Sequence, residues 1–231
     1  MRLHTTTVLG LSSLVVLALA GCSSGSTPAD DPVSPASAPT QQEGKHSPVP
    51  ELLSSVALNK RLLEESDLGE GYTRKPQQPR PQGDVVVFGC PALEELGSGS
   101  ATGSGLDFPR KAKVSFTYTG SSSEISEQLY SDSAAKLSKG IGKVFDAMLS
   151  CPSYQVASGS TVVDVGTGEM AAPDLGDERW SQLLSFSSGG QSSVVKQTAI
   201  RVGDVLVLVS GTPSLVDTHL QRALGKVQRV L

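Results

Sequence analysis

Ser192–Gly211, SSVVKQTAIRVGDVLVLVSG, holds two β-branched runs around a single Gly-Asp pair. A two-residue loop opened by glycine suits a type II′ turn, whose twist matches that of the strands it joins. Gly203-Asp204 therefore predicts an antiparallel hairpin. Val205–Val209 is apolar at every position. A strand that buries both faces belongs in the middle of its sheet.

Outward from this hairpin the strand pattern continues. STVVDVGTGEM, Ser160–Met170, alternates around Val163 and Val165, and RWSQLLSFSSG, Arg179–Gly189, sets Trp180, Leu184 and Phe186 towards one face. KVSFTYTG, Lys113–Gly120, alternates Val114, Phe116 and Tyr118 against Ser115, Thr117 and Thr119, the mark of a half-buried strand. Next, Ile125, Leu129, Leu137, Ile141, Val144, Phe145 and Met148 fall at helical spacing and predict one long helix. Cys151-Pro152 closes it. Gly140 and Gly142 each cost up to ~1 kcal/mol there relative to alanine, which points to a close helix–sheet approach.

The flanks are helical. Leu52, Val56, Leu58, Leu62 and Leu63 predict a helix over Leu52–Leu68, ended by Gly69 and Gly71. Val216, Leu220, Ala223, Leu224 and Val227 form the buried stripe of a last helix from Pro213 to Val230. Between the first helix and the first clear strand lie a proline-rich polar loop (Arg74–Gly83), a short strand (Asp84–Phe88), one helical turn (Leu93–Leu96) and a mobile glycine-serine connection (Gly97–Gly105). Consecutive strands on short turns pair antiparallel. The expected fold is α+β, an antiparallel sheet covered on one side by amphipathic helices.

The N-terminus reads separately. Arg2 and His4 precede an apolar core, Val8–Ala20, that is too short to span a bilayer of ~30 Å. It ends in Leu19-Ala20-Gly21-Cys22, which resembles the bacterial lipobox. The resemblance implies a diacylglyceryl group on the Cys22 thiol, cleavage before it, and acylation of the new amine with a fatty acid such as palmitate. Several acyl chains supply the signals stable anchoring requires. The plainer alternative is a secreted protein whose signal ends near a cysteine by chance. Residues 1–21 are thus expected as signal peptide. Residues 22–50, rich in Ser, Gly, Pro and Thr, are expected as a disordered tether. Residues 51–231, about 180 residues, suffice for one domain with a core.

Composition narrows the partners. Net charge is −4 and acids and bases are interspersed, so no basic stripe invites nucleic acid. Aromatics are 4 %, few for a site that stacks sugars or bases. With Cys22 lipidated, Cys90 and Cys151 remain in an oxidising compartment and are expected to pair. A catalytic thiol would need a histidine; His4 sits in the signal, His46 in the tether and His219 beside a buried helical stripe, where a structural role is expected. Asp174, Asp177 and Glu178 cluster in PDLGDER without EF-like spacing, and read as turn residues, with Asp177 and Arg179 capping or pairing locally. No G-x-S-x-G and no phosphate-loop context is present. Catalytic, cofactor and metal sites are therefore all expected to be absent, and the chain is read as a non-enzyme.

Helix into LLEESDLGEGYT, a long helix ending AMLSCPSY, PDLGDERW, AIRVGDVLVLVSG and a closing helix together resemble a family. It is that of actinobacterial lipoproteins similar to the extracellular sensor domain of mycobacterial serine/threonine kinase H. The resemblance covers about Leu52–Val230 and implies an antiparallel sheet clamped by helices around a ligand cleft. It brings no catalytic residues. The family sensor carries two disulfides, whereas one pair is available here, and this chain has a lipobox where the kinase has a membrane span and a catalytic domain. The expected protein is an extracytoplasmic, membrane-anchored lipoprotein with a ligand-binding or sensor-like domain. Its alternatives are an interaction lipoprotein that docks another cell-envelope protein and, against the residues, an exported hydrolase. Trp180 and Tyr72 are candidates to line a cleft, although core packing suits both.

Overall fold

The computed structural model describes residues 52–77, 85–97, 106–121 and 123–229. The signal peptide, Cys22 and the tether lie outside the described residues, as do 98–105 of the glycine-serine connection.

The described chain runs α1 (Ser55–Asn59), α2 (Glu65–Leu68), β1 (Tyr72–Arg74), β2 (Val85–Phe88), α3 (Pro91–Leu96), β3 (Lys111–Tyr118), β4 (Ser123–Ser131), α4 (Ala134–Leu149), β5 (Ser153–Ser158), β6 (Thr161–Glu169), β7 (Glu178–Ser188), β8 (Gln191–Val202), β9 (Val205–Gly211) and α5 (Pro213–Gln228). The strands form one nine-stranded sheet in the order β1-β3-β4-β9-β8-β7-β6-β5-β2. Neighbouring strands are antiparallel throughout.

The Gly203-Asp204 hairpin forms as its sequence predicts. Val202 pairs with Val205 across the turn, and Gly203 takes φ 55°, a left-handed conformation that costs glycine little. β9 lies inside the sheet, between β4 and β8. The turn also positions a helix: Asp204 Oδ1 accepts the Ala134 N–H at 3.0 Å. That amide is one of the unpaired donors at the start of α4, so the hairpin tip fixes where the helix begins.

Alternation along β9 divides the core in two. Val205, Val207 and Val209 join Ile125, Leu129, Val114 and Phe116 beneath Val216, Leu220, Leu224 and Val227 of α5, with Leu58, Leu62 and Leu63 from the α1–α2 segment. Leu206 and Leu208 face the other way, with Tyr130, Ala199, Leu184 and Val165, beneath Leu137, Ile141, Phe145 and Met148 of α4 and Leu93 of α3. The helices are amphipathic and pack on the sheet as expected, but they are shared between its two faces. The cause is β9 itself: a strand apolar at both parities needs cover on both sides.

Two further readings are corrected. Ile125 and Leu129 belong to strand β4, and the long helix begins only at Ala134. A spacing of four is one helical turn but also two strand repeats, and buried Glu127 and Gln128 hide the alternation between them. Leu52–Leu68 is two short helices instead of one. α1 stops at Asn59 with Lys60 as its C-cap, and Leu62 and Leu63 are both buried in the non-helical stretch that follows. Leu63 N–H leaves the helical ladder to donate to Glu127 Oε2 at 2.6 Å, and α2 restarts behind a reciprocal cap of Glu64 and Asp67. On α4, Gly140 meets the Phe108 ring, which an added Cβ would approach to 2.6 Å, whereas Gly142 faces open space. No helix among the described residues is long and apolar enough to cross a membrane.

Candidate functional site

The acidic cluster of the PDLGDER loop is structural. Asp177 Oδ2 accepts from Arg201 Nη1 at 2.9 Å and from Gly203 N–H at 2.8 Å. Glu178 Oε2 accepts from Arg201 Nε at 3.1 Å and from the Ser138 hydroxyl. The Arg201 hydrogen bond, then that of Ser138, holds the Glu178 carboxyl below its usual range. Asp174 pairs with Arg179 at 2.5 Å. The PDLGDER loop and the Arg201–Asp204 turn are thus two halves of one knot that also grips α4. Among the described residues no group of three or more His, Cys, Asp or Glu side chains is placed to hold a metal ion.

His219 is buried. Its Nε2 lies 2.7 Å from the Tyr72 hydroxyl, and Tyr72 packs on Tyr118 with ring centroids 4.9 Å apart. Burial, then the nearby Arg222 charge, lowers the imidazole pKa. Trp180 is packed against the α4 core and Tyr72 against the α5 core, so both serve as packing residues. Cys90 and Cys151 are joined as a disulfide inside the α4 core.

Geometry brings a different set together. β1 pairs with Phe116–Tyr118 of β3, so among the described residues the first half of β3 has no strand partner on that side. An open edge invites other chains, and here it is closed by substitutes. Lys111 N–H donates to Ser55 Oγ at 3.1 Å, the Lys113 carbonyl accepts from Gln77 Nε2 at 2.7 Å, and the Ser115 carbonyl accepts from Lys75 N–H at 2.8 Å. Across the sheet, Lys111 stands opposite Tyr130 and Lys113 opposite Gln128.

Between these groups lies a pocket of about 250 Å³ lined by Asn59, Gln77, Lys111, Ala112, Lys113, Gln128 and Tyr130. Its amides are oriented. The Tyr130 hydroxyl donates to Gln128 Oε1 at 2.8 Å, which leaves the NH₂ end as the donor. Asn59 Nδ2 donates to the Ser55 carbonyl at 2.9 Å, which leaves its carbonyl end as the acceptor. The lining offers amides, a phenol and two ammonium groups, and it contains no thiol, imidazole or carboxylate. Such a site can bind a polar group but holds no nucleophile–base pair. A wider, shallower depression follows the outward face of α5 past Arg222, Gly225 and Arg229. Val86 and Phe88 on β2 and Val162 on β6 are large apolar side chains left exposed.

None of the pocket residues stood out in the sequence. They come from α1, the loop after β1, β3 and β4, and no local motif links them. One weak signal was available: Glu127 and Gln128, two polar residues in a stretch otherwise read as the buried stripe of a helix.

No family model matches the chain, and no curated protein matches it. Among solved structures, the crystal structure of the extracellular domain of PknH from Mycobacterium tuberculosis is similar in fold, with a TM-score of 0.55 and 13 % sequence identity over 78 % of this chain and 97 % of that one.

Proposed function

We propose that this protein is an extracytoplasmic lipoprotein, anchored through Cys22, whose domain recognises a small polar ligand bearing an anionic group. The pocket between α1 and the β3–β4 hairpin carries the reading: Lys111 and Lys113 provide positive charge, and Asn59, Gln77 and Gln128 provide oriented amide groups. Small-molecule sites combine a concave surface with a few convergent polar groups. Likeness of fold to an extracellular domain and a disulfide, a bond of oxidising compartments, support placement outside the cytoplasm. The lipobox-like Leu19-Ala20-Gly21-Cys22 supports the anchor.

Titration with citrate and with inorganic phosphate tests the pocket. Either anion is expected to raise the melting temperature of the wild-type chain. The double variant Lys111→Met, Lys113→Met, at two exposed side chains, is expected to melt close to wild type when unliganded and to lose the ligand-induced rise. A rise kept by the variant, or no rise in the wild type with these or other small carboxylates and phosphates, overturns the pocket reading in favour of docking.

The anchor is tested separately. Cells fed a palmitate analogue are expected to label the wild-type protein and not Cys22→Ala, which should leave the membrane fraction. Label retained by the variant would refute lipidation at this residue.

A further inference from the structure

Glu127 sits near the middle of β4, 1 % exposed, on the valine-rich face of the sheet. Leu63 N–H donates to its Oε2 at 2.6 Å. Its Oε1 is buried and has no hydrogen-bond partner. The residues opposite it on the flanking strands are Val114 of β3 and Val209 of β9. The charges that act on it from the elements packed over it are Lys226 of α5, which favours the ionised form, and Asp67 of α2, which opposes it. Lys226 is already committed, at 2.5 Å to Asp67 and 3.9 Å to Glu64. Among the described residues no cation pairs with Glu127 directly.

An ionised carboxylate in such a site would be costly. Glu127 therefore keeps its proton: burial pushes its pKa up to about 8, against the lowering effects of the Leu63 hydrogen bond and the Lys226 charge. Leu63 joins α1 to α2, so this bond fastens the middle of the segment to β4, beside the Ser55–Lys111 hydrogen bond to β3 and the packing of Leu58, Leu62 and Leu68.

We propose that Glu127 is a proton-operated latch, which holds the α1–α2 segment on the sheet while protonated and releases its proton when that segment lifts and water enters. The closed state then holds one proton that the open state lacks, from the ordinary carboxylate range up to about pH 8. The stabilising contribution is complete below the unfolded pKa and is lost as pH rises towards the folded one. Opening becomes easier by close to tenfold per pH unit in this window and levels off above it. Asn59, a wall of the pocket, ends α1 four residues before Leu63, so the same opening removes that wall. This last consequence rests on the pocket reading; the latch and its test do not.

Native-state hydrogen exchange of the amides from Leu58 to Leu68, corrected for intrinsic rates, tests the latch. The opening constant is expected to rise about 100-fold from pH 5 to pH 7 in the wild type, and less than about threefold in Glu127→Gln, which keeps the acceptor for Leu63 and cannot ionise. An equal rise in both proteins, or a flat profile in the wild type, overturns the proposal. Should Glu127→Gln not fold, Lys226→Met decides: with the nearest ammonium removed, the pH at which opening levels off moves up by about half a unit or more, and an unmoved profile overturns the latch.

Discussion

Gly211→Ala is expected to destabilise the domain by about 3–5 kcal/mol, at the upper end of single substitutions. Gly211 ends β9 and is paired with Ile125 of β4 on one side and Lys196 of β8 on the other. A Cβ added there would stand 2.2 Å from the Glu124 carbonyl oxygen and 2.8 Å from Ile125 Cα. Both obstacles are backbone of the neighbouring strand, so no side-chain rotation relieves the clash. The same carbonyl accepts the Thr212 N–H at 2.9 Å at the start of α5, so pushing β4 away also loosens the entry to that helix. Since whole domains are stable by only about 5–15 kcal/mol, the loss should appear as a large drop in the urea midpoint with an unchanged slope. Gly142→Ala is the control. Nothing lies within 4 Å of its added Cβ, and the helix should gain up to ~1 kcal/mol. A Gly211→Ala midpoint within experimental error of the wild type would show that the strands are not in the described register.

The second large effect is loss of the cross-link. Cys90 and Cys151 are 61 residues apart in sequence with Cα atoms 5.7 Å apart. Closing a loop of that length restricts the unfolded chain by roughly 4 kcal/mol on the chain-entropy model, with measured values commonly lower. The closed loop contains α3, β3, β4 and all of α4, so the bond ties the end of α4 to the segment that follows β2. Cys90→Ala with Cys151→Ala is expected to lower unfolding stability by about 2–4 kcal/mol. Reductant should bring the wild type to a similar value once the chain is opened, because Cys90 is fully buried and Cys151 is 9 % exposed and both are shielded in the native state. Two free thiols per mature chain in a non-reduced sample, or an unfolding midpoint indifferent to reductant, would rule the cross-link out.

Strands with one clean parity were legible in the sequence. Val114-Phe116-Tyr118 and the Gly203-Asp204 hairpin are local patterns, and local sterics and turn chemistry decide them. The α5 stripe was legible for the same reason. β4 was not, because Ile125 and Leu129 satisfy two periods at once and because Glu127 and Gln128 are polar yet buried. β5 was not read at all: Ser153–Ser158 is short, and it becomes a strand by pairing with β2 and β6. The pocket was illegible for a geometric reason, since it exists only where Asn59 and Gln77 meet the face that carries Lys113 and Gln128.

By itself, then, the chain determined its antiparallel hairpins, its amphipathic helices, the availability of two cysteines for each other and the placement of a third behind a lipobox-like signal. Each of these depends on neighbours a few residues away or on a count. Only the tertiary structure decided that helices cover both faces of the sheet, that the PDLGDER acids are held by Arg201 and Arg179, that Glu127 is sealed against Leu63, and where a polar pocket lies. Those outcomes depend on which distant side chains share one small volume, and the free energy of burying a charge or filling a gap is set by that volume and not by spacing along the chain.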